Sequence, residues 1–234
     1  MSDAENSTLR ESFARYIMDR IFSGEFAPGD KLPSERELAE ETGLSRSLVH
    51  LGMEDLSRSC FVQMIPRKGN YVADFKKCGN FSTLEAIAKY GRLELEQNMA
   101  VSLVEMRNAV EGGAMLRLAR DGTAADFDRL QALNEELEDL SRRTEDVAAL
   151  AELLKRFHYE IVVLSGNYLF PLMMNVFEET GAPLWENCMR FWGAENVVRQ
   201  NKELIEQLRS GRGLDAAASI IRIFDQYKLA NNMR

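Results

Sequence analysis

Histidine occurs only twice in this chain of 234 residues, at His50 and His158, so a His-rich metal site is impossible whatever the fold. Cysteine is nearly as scarce. Cys60, Cys78 and Cys188 are odd in number and far apart in sequence. They form no metal-type pair and suggest no disulfide framework, and are read as packing or inert thiols of a reducing cytoplasm. No apolar run reaches the roughly 18 residues that a membrane-spanning helix needs. The opening stretch, MSDAENSTLRES, is polar and carries acids, unlike a secretion signal. The motifs of catalysis are missing as well. There is no P-loop, no G-x-G-x-x-G after a strand, no G-x-S-x-G, no H-E-x-x-H and no Cys/His pairing. The carboxylates are scattered as on solvated helix faces, so the chain reads as a protein that is not an enzyme.

A basic surplus is also lacking. The net charge is -8, and residues 1–77 carry 11 Lys and Arg against 13 Asp and Glu. A phosphate binder usually has the opposite balance. Total charge, however, does not report whether positive groups are gathered on one face, and that gathering decides binding. Hydrophobic residues at 45% and charged residues at 28% place the chain among globular proteins, with length enough for two domains.

What is present is organised in two parts. Residues 8–23 set Phe13, Ile17 and Ile21 on one helical stripe, with Thr8 as N-cap and Gly24 as stop. A loop punctuated by Pro28, Gly29 and Pro33 follows. Ser34 with Glu37 forms a capping-box pattern for a short helix that Gly43 ends. Ser45 caps the next helix, whose Leu48, Leu51 or Gly52, and Leu56 face inward. Helix, tight turn and helix is the arrangement that sets a second helix into a major groove. CFVQMI, PRKGN and YVADF then read as a hairpin, a wing with Arg67 and Lys68 at its tip beside Gly69. Residues 76–96 read as a connector with one helix at 81–90. Everything beyond reads helical, in segments 97–121, 123–142, 145–165, 168–179, 184–192, 194–210 and 214–231. Breaks are expected at Gly122, Ser165-Gly166-Asn167, Gly181-Ala182-Pro183 and Gly211-Arg212-Gly213. The expected fold is mainly α: an N-terminal winged helix-turn-helix over residues 1–75, the connector, and an antiparallel helical bundle over 97–234.

The run PGDKLPSERELAEETGLSRSLV, followed by a helix and RKGNYV, resembles the DNA-binding domain of GntR-family regulators. EMRNAVE at 105–111, Phe157-His158, LSGN at 164–167 and the final Gly-x-x-x-Asp-Ala-Ala helix resemble the helical effector domain of the FadR subfamily. Together the two matches span nearly the whole chain. The connector NFSTLEAIAKY and the missing metal ligands bring it closest to the fatty-acid-responsive branch.

The resemblance implies DNA contacts by Arg36, by Ser45, Arg46 and Ser47 at the recognition-helix start, and by Arg67, Lys68 and Gly69 in the wing. Elementary chemistry agrees, because a helix N-terminus offers free N–H groups to phosphate and Gly69 lets backbone approach closely. One position departs from the pattern. His50 stands where relatives carry Arg, and a histidine is mostly neutral near pH 7 and shorter in reach. Glu54 and Asp55, a turn further on, would repel phosphate and are expected to face away.

Many relatives hold a metal with one Asp and three His in the helical domain. Of that set only His158 is retained here; Leu154 stands at the Asp position, and Asn201 and Gln226 at the later His positions. No metal and no cofactor are expected. His158 is then either a core histidine hydrogen-bonded between helices or a polar group lining an effector cavity. Arg107, on an otherwise apolar helical face, either clamps a ligand carboxylate or pairs with Glu111 at i+4. The stretch from Tyr168 to Phe177, with Met173 and Met174, is either the adaptable wall of a long apolar ligand's site or plain core.

The resemblance implies a cytoplasmic homodimeric regulator, a repressor, that binds a pseudo-palindromic operator and is released by a small acidic effector such as an acyl-CoA or carboxylate. The acidic balance and His50 keep a second reading open, a helical sensor whose winged domain serves protein interaction.

Overall fold

The computed structural model describes residues 3–90 and 97–230, and the side chains of 8–90, 101–177 and 183–229. It divides into two compact units, Met1–Arg92 and Leu93–Arg234. Each is built around its own core.

In the first unit α1 (Asp3–Phe22), α2 (Glu35–Thr42) and α3 (Arg46–Arg58) surround a core led by Phe13, Ile17, Met18, Leu38, Met53 and Leu56. The expected stripe of Phe13, Ile17 and Ile21 is buried. Thr8, expected as N-cap, lies inside α1, which begins at Asp3, and its carbonyl accepts from the Ser12 hydroxyl. Leu51 is exposed and Gly52 is buried, because the ring of Phe13 occupies the space a side chain at 52 would need.

The capping box of α2 forms as its spacing requires. Glu37 N–H donates to Ser34 Oγ at 3.3 Å, and Ser34 N–H donates to Glu37 Oε2 at 2.8 Å. Gly43, at φ 71°, supplies the left-handed residue that ends α2, and Ser45 then caps α3 by accepting the Leu48 N–H. β1 (Val62–Ile65) and β2 (Gly69–Val72) pair antiparallel, from Val62↔Val72 to Ile65↔Gly69. The loop read only as punctuation adds an edge to this hairpin. Leu32 N–H donates to the Asn70 carbonyl, and Val72 N–H to the Asp30 carbonyl, each at 2.9 Å. A short α4 (Phe75–Cys78), absent from the sequence reading, and α5 (Phe81–Tyr90) complete the unit. The rest of the expected connector, 91–96, lies outside the described residues.

The second unit is an all-helical bundle: α6 (Gln97–Asp121), α7 (Ala124–Ser141), α8 (Val147–Leu164), α9 (Leu169–Asn175), α10 (Glu178–Trp192), α11 (Ala194–Arg209) and α12 (Gly213–Ala230). α6 packs mainly on α12, α7 on α11 and α8, and α8 on α10. Gly213 permits the first of these, since a Cβ there would lie 3.0 Å from the Ala119 methyl carbon of α6. Thr123 with Asp126 forms a second capping box, and Asp146 caps α8.

The expected break at Gly181-Ala182-Pro183 is not one. α10 runs through it, and the boundary falls instead at residues 176–177. Pro183 is the sixth residue of α10, so its missing N–H removes a single helical bond, to the Glu179 carbonyl. The burial of Trp185, Cys188 and Met189 on the following turns outweighs that loss.

The Phe13–Gly52 contact gives a stability test. A Cβ at 52 would stand 2.4 Å from Phe13 Cδ1, inside a ring that is itself fully buried. Overpacking costs about 1–3 kcal/mol, against about 1 kcal/mol gained by Ala over Gly in a helix interior. Gly52→Ala should therefore lower the urea midpoint; an unchanged or raised midpoint would show that Phe13 moves aside freely.

Candidate functional site

In the first unit the side chains singled out for DNA contact lie on the surface. Arg46, Ser47, His50, Arg67 and Lys68 are exposed, as are Ser45 and Gly69. Among the described residues no ion pair holds Arg46, Arg67 or Lys68. Arg36 reaches Glu40 at 3.8 Å, with both side chains about two-thirds exposed, too loose a pair to keep the guanidinium from another anion. Ser45 Oγ is already engaged, accepting the Leu48 N–H and lying 3.1 Å from Ser47 Oγ. Arg67, at φ 64°, takes the left-handed conformation at the wing tip, and Gly69 follows at φ 110°. Such a backbone is uncommon away from glycine. Here it turns the chain so that Arg67 and Lys68 stand at the end of the hairpin.

His50 sits between two carboxylates. Its Nδ1 lies 3.0 Å from Glu35 Oε1 and its Nε2 3.7 Å from Glu54 Oε1. The hydrogen bond to Glu35, and then the charge of Glu35 and of Glu54, raise its pKa. His50 is thus more protonated than the neutral imidazole its residue type suggests, although its charge is shared with acids. Asp55 turns toward α1, where Arg10 Nη2 meets it at 2.6 Å. Glu54 does not turn away; it stays exposed one turn from His50.

In the second unit the two residues singled out for an effector meet on a third that was read only as a helical pair. Glu111 of α6 has no exposed surface. Its Oε1 accepts from Arg107 Nη2 at 2.9 Å, and its Oε2 lies 2.8 Å from His158 Nδ1 of α8. Burial by itself would raise the Glu111 carboxyl, but His158 and Arg107 together hold it below the usual carboxylate range. A carboxylate that accepts at Nδ1 makes that nitrogen the N–H, and Nε2 is then the ring nitrogen open to another partner. Trp185 of α10 packs against both neighbours. The Arg107 guanidinium carbon lies 4.4 Å from its ring centre, and the His158 ring lies 5.0 Å away at 31°.

His158 is hydrogen-bonded between helices, and it also lines a cavity. That cavity, about 210 Å³, is bounded by His158, Leu154, Trp185, Asn201 and Gln226 among others. Arg107 opens onto a different one of about 250 Å³, with Lys155, Tyr159, Met174 and Trp185. The two side chains share Glu111 and Trp185 but face separate spaces. Arg107 is 4% exposed, and among the described residues its Nε has no hydrogen-bond partner. The Tyr168–Phe177 stretch matches neither of its readings as a whole. Tyr168, Leu169 and Leu172 are exposed, while Met174 and Phe177 are buried.

The four positions at which metal-binding relatives place ligands come to one cavity: Leu154, His158, Asn201 and Gln226. The donors do not fit a transition metal. Leu154 has none, and Asn201 is tied back through Asn134, its Nδ2 donating to Asn134 Oδ1 at 3.0 Å. Among the described residues no group of three His, Cys, Asp or Glu could hold a metal ion, and no helix is long and apolar enough to cross a membrane.

A winged helix-turn-helix with free cations at helix start and wing tip, followed by a helical bundle with interior cavities, defines a DNA-binding regulator with a sensing domain. Residues 9–72 match the model of the gntR family of bacterial regulatory proteins, and residues 102–226 match the FCD domain. The chain belongs to the FCD-domain family, with a gntR-type DNA-binding domain before it, and is a transcriptional regulator rather than an enzyme. It is 25% identical over 211 residues to the HTH-type transcriptional regulator LutR of Bacillus subtilis, covering 86% of this chain and 91% of that one. It is 27% identical over 190 residues to the fatty acid metabolism regulator protein of Shewanella frigidimarina, covering 81% of this chain and 74% of that one. In fold it is similar to Lar, which controls the expression of the Listeria monocytogenes agr system, with a TM-score of 0.55, 19% identity and 94% of each chain covered.

Glu111 was legible as a partner of Arg107 by its spacing, but nothing in the sequence marked it as the residue shared with His158, or Trp185 as the wall between the cavities. Glu111→Gln keeps the shape and removes the charge that balances Arg107. The expected loss at pH 7 is about 3 kcal/mol in urea unfolding, within the range for breaking a buried pair. Because the carboxyl is held low, its contribution is full above the unfolded carboxylate pKa of about 4.3 and fades as pH falls through the lower folded value. The gap between the two proteins should therefore narrow in acid. A variant as stable as the parent at pH 7 would contradict the assignment.

Proposed function

We propose that this chain is a cytoplasmic repressor that binds a pseudo-palindromic operator as a homodimer and is released by a small acidic effector, an acyl-CoA or another carboxylate. Arg36, Ser45, Arg46, Ser47, His50, Arg67, Lys68 and Gly69 make the DNA contacts, and Arg107 and His158 receive the effector. The FCD domain supports a small-molecule ligand, and the fatty acid metabolism regulator proteins among the relatives support the acyl class.

The observation that carries the reading is the pair of cavities on either side of Trp185, each with one nitrogen side chain held by Glu111. Arg107 offers an N–H left without a partner, and a buried donor in that state is paid back when an anion arrives. His158 offers Nε2, the ring nitrogen that Glu111 leaves open. The His158 cavity adds apolar wall from Leu154, Trp192, Val197, Leu204 and Phe224, which suits a carbon chain, and the Arg107 cavity adds the cations Lys155 and Arg156, which suit an acid group. The ligand binds one geometry of the protein better than another and so lowers the population competent for DNA.

The test is thermal unfolding of the full chain against a panel of acyl-CoAs and small carboxylates, with divalent metal and chelator controls. A ligand at 100 times its dissociation constant adds about 2.7 kcal/mol, a shift of roughly 5–10 °C for a chain of this size. The expected result is a chain-length-dependent shift with acyl-CoA that Arg107→Ala and His158→Ala each reduce, and none with metal. Stabilisation by a divalent metal, or none by any acid in the panel, would contradict the proposal.

A further inference from the structure

Seventeen residues of sequence lie between Cys60 and Cys78, yet the fold brings the two close together. Cys78, at the end of α4, has its Sγ 3.3 Å from the Asp74 carbonyl oxygen of its own turn and 3.8 Å from the carbonyl oxygen of Cys60. Asn80 Nδ2 donates to Cys60 Sγ at 3.4 Å and to the Arg58 carbonyl at 3.3 Å. The surroundings fix this meeting. Phe22, Phe61 and Phe75 pack ring on ring, with centres 5.0–5.9 Å apart, and hold α4 against the residue that follows Cys60. Thr83 Oγ1 donates to the Ser59 carbonyl at 2.9 Å and pins the start of α5 to the end of α3.

The conformation of Cys60 shows that packing does not explain it. It occupies the position after the C-cap of α3, where its N–H donates to the Ser57 carbonyl and the Phe61 N–H to the Leu56 carbonyl. Helices that end in this pattern place glycine there, because the residue is left-handed, and Cys60 has φ 58°. A cysteine in that place is strained where glycine would be at ease. The side chain is only half-buried, and Cys78 is exposed, so both thiols are open to small solutes.

We propose that Cys60 and Cys78 are a modification site, a thiol pair that a hydroperoxide converts to an intramolecular disulfide joining the end of the recognition helix to the segment that leads out of the winged domain. The Cys60 thiolate attacks the peroxide, the O–O bond breaks, and the alcohol (water, for hydrogen peroxide) leaves with a proton; Cys60 is then a sulfenic acid. The Cys78 sulfur attacks the Cys60 sulfur, the S–O bond breaks, and the departing hydroxide takes the Cys78 proton as water. Two thiols are oxidised and one peroxide is reduced. Hydration lost at its sulfur where Cys78 meets the α3 end, and the neighbouring Cys60, push the Cys78 thiol up, which suits Cys78 to the second step. Cys188 is buried, and burial pushes its thiol up to about 12, so it stays outside the reaction.

The experiment treats the reduced full chain with hydrogen peroxide and reads thiol titration, intact mass and non-reducing peptide maps. The expected result is loss of two of the three thiols, a mass lower by two hydrogens, and a Cys60–Cys78 cross-linked peptide that dithiothreitol reverses. The midpoint of unfolding should rise by roughly 10 °C on oxidation, since the bond closes a loop of about 18 residues. Cys60→Gly and Cys78→Ser should each abolish the cross-link, and the reduced Cys60→Gly protein should melt no lower than the parent because the strain is gone. Oxygen added to single cysteines, a cross-link between chains, or thiols that survive the treatment would each overturn the proposal, as would a Cys60→Gly protein that melts lower.

Discussion

A carboxylate with no exposed surface lies in the middle of the helical unit, and much of that unit's polar interior follows from keeping it charged. Removing Glu111 from water is costly unless donors replace the lost hydration, and two do: Arg107 from one turn earlier on α6 and His158 from α8. Each donor is in turn held in place. The Arg107 guanidinium lies over Trp185 and the His158 ring stacks beside it, so one indole braces both against Glu111. The same indole divides the interior into two cavities. Leu154, Asn201 and Gln226 stand with His158 around one of them, and the buried Glu111 network is what organises the space.

In the winged unit position matters more than total charge. The unit carries no cationic surplus, but its acids are mostly spoken for: Glu37 by a helix cap, Asp55 by Arg10 and Glu41 by Arg20. Among the described residues, cations that no ion pair holds include Arg46 at the start of α3 and Arg67 and Lys68 at the wing tip. Two local conformations put them there, the Ser45 cap and the left-handed turn at Arg67. His50 is the exception, a cation moderated by the acids on either side of it.

Much of this was legible in the sequence. The caps at Ser34 and Ser45, the stripe of Phe13, Ile17 and Ile21, and the hairpin around Gly69 are local patterns with local causes, and they appear where the residues place them, whereas Thr8 falls inside α1 and not at its cap. What was not legible depends on contacts between distant residues. The pairing of residues 30–32 with β2 needs the hairpin to exist first. Pro183 reads as a break until the burial of Trp185 and Met189 is known to outweigh one lost bond. Spacing brings Arg107 to Glu111, but only the crossing of α6 and α8 brings His158 to the same carboxylate and sends the two nitrogen groups to different cavities. The meeting of Cys60 with Cys78 is of the same kind.

On the proposed function, the cavities beside Trp185 and the winged unit's hold on DNA are energetically linked. The link is tested most directly by measuring the affinity of a stabilising acyl-CoA with and without a saturating operator, selected from random DNA by the full chain. Linkage is reciprocal, so bound DNA should weaken the ligand by the same factor by which the ligand weakens DNA, about 5–150-fold for couplings of ordinary size. An Arg46→Ala protein that no longer binds the operator should show no such effect. Equal ligand affinity in the free and DNA-saturated protein would contradict the account.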